Sequence, residues 1–522
     1  MSHFFVARFF SKPLLLLSYI LTTGLSFHSI VYAEDFFSSS STVNQEINTI
    51  LELKKNPLLA RANFDYRADE VSALYRESND GLLWLNNAQT EKNVGEVLAI
   101  LSNAAAEGLN PEDYSLSVLK QKFPLILLHQ QDSPADLAAY DTAVTISLVR
   151  FLHDIHYGRV APHSLNFSIK LRTQKTLNLP EIIKSAIASG TILQLVSSAE
   201  PKLSQYHQLR SALATYRELA INAQTSRDKK NKLANLQQRI NKISLAMERL
   251  RWLPELNSGK SIIVNIPAFQ LWGVDSENNK SVNLKVVVGK AQKNQTPVLM
   301  AEMRYIEFMP YWNVPPSIFQ KEIWPKLSVN PDYLASQNME VVSLKNGKMR
   351  IRQRPGGKNA LGRLKFIFPN PYGVYLHDTP SKSLFSRSRR DFSHGCVRVQ
   401  NPEDLARFVL GMQDGWTPER IANSLNSSVH YQASLKVAIP VLFFYSTAFY
   451  EKNDVLAFYD DIYGYDALLF VALSKVEDVP ESAFIAQDVP DKFNEPSSTP
   501  TLESDDSQLF SVPSLNVEPL SP

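Results

Sequence analysis

The spacing of apolar residues changes at Pro254, and that change sets the class of fold. Before it, from about Asn44 to Met247, apolar side chains recur every three or four positions, the period of a helix with one buried face. Val94, Val97, Leu98, Leu101 and Ala105 share such a face, and Gly108 ends it. A second helix is expected from about Ser133 to His156 with Gly158 closing it, a third over Leu203–Leu219, and a fourth from about Lys229 to Leu250. After Pro254 the period is two. Residues 262–266, 285–288, 300–306, 365–368 and 373–376 are short apolar runs bounded by turn residues, and 441–449 with 455–459 reads as a late hairpin. Pro316–Leu327 looks helical and 330–358 is polar, so an inserted lid subdomain at about 316–358 is expected to interrupt the sheet. The prediction is an α+β protein: an all-helical N-terminal scaffold domain (44–228), a junction helix (229–254) and a mostly β domain (255–475).

Residues 1–33 carry Arg8 and Lys12, an apolar stretch to Val31 and small residues around Ala33, the pattern of a cleavable export signal peptide. No charge falls between Lys12 and Glu34, so an uncleaved segment is long enough to anchor the chain in a membrane. The expected destination is the periplasm of a Gram-negative-type bacterium. A linker (34–43), Ser-rich at 38–42, follows. Residues 476–522 hold ten acidic residues and seven prolines against the single Lys492, a composition too poor in apolar surface to offset its ordering entropy. An acidic disordered tail is expected there. With 54 Lys+Arg against 52 Asp+Glu the net charge is +2, which gives no field of the kind that draws nucleic acid.

Cys396 is the one cysteine, so the chain has no internal disulfide and no multi-cysteine metal site. It stands in Ser393-His394-Gly395-Cys396-Val397-Arg398, shortly before Asn401-Pro402-Glu403-Asp404, which has the N-cap, first-turn proline and acidic residues of a helix start. Gly395 lets the backbone approach a ligand, and the amides of Gly395 and Cys396 are candidates to receive an oxyanion. A free thiol, with a reference pKa of about 8.5, needs a base or a positive field to attack well. His394 is too near in a tight turn to line up with the sulfur and is assigned to supporting the loop. His377, at a strand end in Tyr375-Leu376-His377-Asp378-Thr379, is the expected general base, its ring oriented by the following backbone or by Asp378. His153 and His156 lack a third ligand of suitable spacing, so no metal is expected. Arg387, Arg389 and Arg390 read as a solvated basic loop or a carboxylate site, and Trp84, Trp252 and Trp416 as packing residues.

The stretch from His377 to Ser393-His394-Gly395-Cys396-Val397-Arg398, with its His-to-Cys spacing, resembles the signature of the L,D-transpeptidase (YkuD) catalytic domain. Tyr311-Trp312-Asn313-Val314-Pro315-Pro316 and Met247-Glu248-Arg249-Leu250-Arg251-Trp252-Leu253-Pro254 are similar to its large YcbB-type branch. Ala105–Tyr114 and Gly158-Arg159-Val160 are similar to that branch's helical scaffold, so the likeness covers about 45–475. One departure is the small three-helix peptidoglycan-binding module usual in that branch: after Tyr216-Arg217-Glu218-Leu219 the chain runs through a charged stretch straight to the junction helix.

The resemblance implies a cysteine acyltransferase that needs no cofactor. Cys396 would attack the carbonyl joining meso-diaminopimelate to the terminal D-Ala of a donor tetrapeptide stem, release D-Ala and leave a thioester, which the amine of a second stem would resolve as a 3-3 cross-link. It implies His377 as proton carrier, the Gly395 and Cys396 amides with Tyr375 as oxyanion donors, and Ser393 as support. Arg398, Trp312 and Asn313 would contact substrate, and peptidoglycan stem peptides would be the partners. Two rivals use the same residues: an L,D-carboxypeptidase or endopeptidase in which water replaces the acceptor amine, and a non-catalytic wall-binding scaffold.

Overall fold

The computed structural model describes residues 42–76, 81–85, 89–128, 133–169, 177–223, 229–254, 259–343, 349–411, 413, 415–451, 454–475 and 478. The signal peptide, nearly all of the linker and, apart from residue 478, the acidic tail lie outside the described residues. The chain forms two compact units, one running to Val94 and taking in Val118–Ile146, the other comprising Gly95–Ser117 and everything from Ser147.

In the first unit the fully buried Asp141 organises the loop at 83–85. Its carboxylate accepts the N–H groups of Leu83, Trp84 and Leu85 at 2.8–3.0 Å and the Tyr75 hydroxyl at 2.6 Å. Four donors are what allow a carboxylate to be taken out of water. The Trp84 indole N–H donates to Thr145 Oγ1 at 2.8 Å, so this tryptophan packs as expected.

The second unit joins helices and strands around one core. The helix from Ser204 to Ala223 and the junction helix from Lys229 to Arg251 are separated only by residues 224–228. Their buried faces, among them Tyr206, Leu213, Ile243 and Met247, belong to the same apolar cluster as Ile262, Val264, Val441 and Phe443 of the β region. Two of the resembling segments meet here: the Glu248 carboxylate accepts the N–H groups of Arg159 and Val160 and pairs with Arg251 at 2.7 Å. Arg249, further along the same helix, pairs with Asp466 at 2.6 Å.

The strands are β1 (Lys260–Asn265), β2 (Gln270–Asp275), β3 (Lys280–Gly289), β4 (Leu299–Phe308), β5 (Trp312–Asn313), β6 (Met339–Ser343), β7 (Met349–Gln353), β8 (Leu364–Ile367), β9 (Leu376–His377), β10 (Asp391–Ser393), β11 (Val397–Val399), β12 (Tyr431–Phe444), β13 (Ala448–Glu451) and β14 (Val455–Phe458). Eight of them run β3-β11-β9-β8-β4-β12-β1-β2, and β2 pairs again with β3, which closes the sheet on itself; β10 adds to the end of β3. β5, β7 and β6 form a separate small sheet, which with the helical turns of 316–336 makes the inserted subdomain around Val314, Phe319, Ile323 and Ile351.

Two expectations need correction. The late hairpin is β13–β14 alone, because 441–444 is the end of the 14-residue β12, paired with β1 and β4. Asn265 clasps the Ser446 backbone through both its amide groups just where the chain leaves that sheet. The insertion starts at Trp312 rather than Pro316, since β5 is hydrogen-bonded into the small sheet through Gln353 and Arg352.

Candidate active site

Strand register builds the site. β9 and β11 are parallel, with Val397 opposite Leu376 and Arg398 opposite His377. Val397 and Leu376 are both fully buried, so period-two alternation sends Tyr375, His377, Cys396 and Arg398 to the other face as a two-by-two array. On the far side of β9, Lys365 of β8 stands opposite His377, and Glu307 of β4 opposite Lys365. One row across four strands thus reads Glu307, Lys365, His377, Arg398.

The loop holding the thiol is pinned from several sides. Gly395 has φ +118, a conformation that a side chain would strain. Its carbonyl accepts the Thr296 hydroxyl at 2.7 Å. The Ser393 hydroxyl donates to Cys396 O at 2.6 Å and accepts the Gly395 N–H at 3.2 Å. The expected pair of oxyanion amides is therefore reduced to one, because the Gly395 N–H is turned to Ser393; the Cys396 N–H has no acceptor among the described residues. Ser393 thus bridges the two ends of the loop. A three-residue strand separates Cys396 from the helix Pro402–Leu410, and Asn401 occupies its N-cap position without a capping side-chain bond.

Cys396 is partly exposed, and the backbone and hydroxyl of Tyr375 lie near enough to its sulfur to favour the thiolate. Burial raises the thiol pKa, while Tyr375, Lys365 and Arg398 favour the thiolate. Burial, and then the thiolate charge, raise the Tyr375 pKa well above the ordinary value, so the phenol remains a donor. Its ring meets that of His377 edge-on, centroids 5.7 Å apart. His377 is buried, and burial together with the Arg398 and Lys365 charges pushes its pKa down to about 3. Its Nδ1–H donates to the carbonyl of Asp378 at 2.5 Å, which fixes the tautomer and leaves Nε2 as the basic nitrogen.

Asp378 orients the ring through that carbonyl and not through its carboxylate, which instead takes Lys382 Nζ at 2.6 Å, Thr379 N–H at 2.7 Å and Arg363 N–H at 2.9 Å. His394 points away from the thiol, its Nε2–H donating to Glu322 of the inserted subdomain at 2.7 Å. The Arg398 Nε is buried without a hydrogen-bond partner among the described residues, and the guanidinium lies in the fields of Cys396 and Glu322. Trp312 packs on the apolar core of the insertion and Asn313 is exposed on β5; no hydrogen bond or ring contact among the described residues joins either to Cys396 or His377. The basic cluster also dissolves: Arg390 is buried and donates to four backbone carbonyls, Arg389 pairs with Asp391, and Arg387 lies over the Phe392 ring. Both His153 and His156 are core residues, His156 Nδ1 meeting Ala199 O at 2.9 Å. Trp252 is buried and Trp416 stacks on Phe308. A cavity of about 590 Å³ lies at the other end of β9 and β11, lined by Asp378, Lys382, Gln400 and Asn401 and not by Cys396.

Lys365 and Glu307 are site residues that sequence reading missed. Lys365 lay in a predicted strand beside ordinary core residues, and only pairing across strands far apart in the chain brings it next to His377.

Comparison with known proteins agrees with this geometry. Residues 69–213 match the Scaffold domain family, and residues 259–424 match the YkuD family, described as the L,D-transpeptidase catalytic domain. The chain thus carries a Scaffold domain followed by a YkuD L,D-transpeptidase catalytic domain. A Haemophilus influenzae protein named "Putative L,D-transpeptidase" is 26% identical over 458 residues, which cover 84% of this chain and 86% of its own. The catalytic-domain match and this relative support a transpeptidase, and so an acyltransferase, role on peptidoglycan peptides. The expectation of a helical scaffold ahead of a mostly β YkuD domain holds.

Proposed function

We propose that the protein is an exported L,D-transpeptidase that forms 3-3 cross-links in periplasmic peptidoglycan through a thioester on Cys396. The observation that carries this reading is the array of Tyr375, Cys396, His377 and Arg398 on one face of two adjoining strands.

At rest both partners are neutral: burial keeps the proton on the thiol, and His377 is unprotonated at any working pH. Attack is then coupled to proton transfer. As sulfur bonds to the carbonyl carbon of the donor stem, its proton passes to His377 Nε2 and the carbonyl oxygen becomes an oxyanion. The Cys396 N–H and the Tyr375 hydroxyl are the donors for that oxyanion. Collapse breaks the C–N bond to D-Ala, which leaves with the proton from His377. An acceptor amine then attacks the thioester, gives its proton to His377 and releases the thiol. Arg398, a cation with an unpartnered buried Nε, suits a stem-peptide carboxylate, which its planar fork binds at two points.

The test is mass spectrometry of the mature protein and of Cys396→Ala after incubation with disaccharide-tetrapeptides. A dimer lacking one D-Ala, linked 3-3 and absent with the variant, is expected. Cys396-dependent tripeptide alone would establish the carboxypeptidase instead, and cross-linking by the variant would overturn the nucleophile assignment.

A further inference from the structure

The row Glu307, Lys365, His377, Arg398 contains one cation that the steps above leave without a task. Directly paired residues on one face of antiparallel strands stand about 5 Å apart at Cβ, so each charge in the row acts on its neighbour. Lys365 is only 19% exposed. Its Nζ lies 3.5 Å from Glu307 Oε2 and 4.5 Å from the centre of the Tyr375 ring, and the strand register sets Tyr375 beside Cys396. A cation on the face of a phenol draws density from the ring and makes its O–H a stronger hydrogen-bond donor.

We propose that Lys365 is a positioning residue for the thiol chemistry: it acts through the Tyr375 hydroxyl to favour the Cys396 thiolate, and Glu307 sets how much of its charge is felt. Arg398 supplies a second cation from β11, and burial of the site opposes both. The remaining titratable or charged groups around the thiol are His377 on β9, Tyr375 just before that strand and, from the insertion, Glu322, which is coupled to it through Arg398 and His394. The inference rests on Cys396 being the nucleophile of the proposed reaction.

Because Cys396 is the one cysteine of the chain, its alkylation by iodoacetamide can be followed against pH in the intact protein without removing other thiols. Loss of the cation in Lys365→Met is expected to move the midpoint up by about 0.5 to 1.5 pH units, the size of one charge acting over several ångströms through a partly screened site. Lys365→Arg should stay near wild type, and Glu307→Gln should shift the midpoint down. A Lys365→Met midpoint equal to wild type, or a Lys365→Arg midpoint as high as that of Lys365→Met, overturns the proposal. Should Lys365→Met fail to fold by circular dichroism, Glu307→Gln decides: a midpoint at or above wild type overturns it. Alkylation consumes no peptidoglycan fragment, so the transpeptidase reading fails separately, by D-Ala release that persists in Cys396→Ala.

Discussion

Lys365 and Arg398 flank His377 from the two neighbouring strands, so one buried imidazole is held between two cations. Burial and both charges depress its pKa to about 3. In the unfolded chain the same ring titrates near about 6.5, so below that pH the unfolded state binds a proton that the folded state refuses. The stability tied to a neutral His377 is therefore present above about pH 6.5 and is lost as pH falls from there towards 3. His377→Gln is expected to flatten the acid limb of the stability curve, by about 2–3 kcal/mol between pH 6.5 and 4. Urea unfolding at several pH values checks this, and parallel wild-type and variant curves would contradict it.

The carboxylate of Asp378 serves the fold rather than the imidazole. Asp378→Asn leaves the backbone carbonyl on His377 Nδ1 but loses charge-assisted bonds to Lys382 and two amides. A loss of about 1–3 kcal/mol in stability is expected, with turnover per folded molecule nearly unchanged. Gly362→Ala should act through the same group, since a Cβ there would come within 2.3 Å of the Asp378 carboxyl. Thermal melts beside D-Ala release measure both effects.

Arg398 carries a prediction about affinity. Arg398→Met is expected to lower kcat/KM for the donor stem by about 10- to 100-fold, the loss of one charge-assisted interaction. Arg398→Lys should recover only part, because a point charge lacks the fork. Steady-state kinetics with tetrapeptide fragments decide, and unchanged kcat/KM in Arg398→Met would remove the residue from substrate binding.

The contact between His394 and Glu322 ties the catalytic loop to the insertion. Both side chains are substantially exposed, at 33% and 48%, so breaking the pair in Glu322→Gln should shift stability by less than about 1 kcal/mol. The expected effect is on KM, with the Cys396 alkylation midpoint nearly unchanged. A large fall in melting temperature would show instead that the pair holds the insertion in place.

What could be read from the sequence was local. Helices with strong apolar periodicity and the Ser393–Arg398 motif needed only neighbouring residues to be seen. β2 escaped because it is short and carries Gly273, and the first half of β12 escaped although Gln432, Ser434 and Lys436 alternate with Ala433, Leu435 and Val437, because only the continuous apolar run after Pro440 was read as strand. The insertion's strands escaped because 330–358 is polar overall and pairs only with itself and β5. Lys365 and Glu307 were invisible because their role is a matter of register. Residues 307, 365, 377 and 398 share a row only once three strand pairs have formed, and no spacing along the chain encodes that. The Gly395 amide was misjudged for the opposite reason: its competitor, the Ser393 hydroxyl, was two residues away.

Pro254 marks a change of sequence grammar, but it is not a seam in the molecule. The apolar faces of the helices at 204–251 and the inner faces of the strands after 260 fill one continuous interior, with Arg249 and Asp466 bonded across the point where a cut would fall. A gene trimmed to begin at Pro254 would remove the helical side of that interior and open the rest to water. The catalytic sheet is thus no portable cassette, and the last two scaffold helices must be inherited, expressed and recombined together with it.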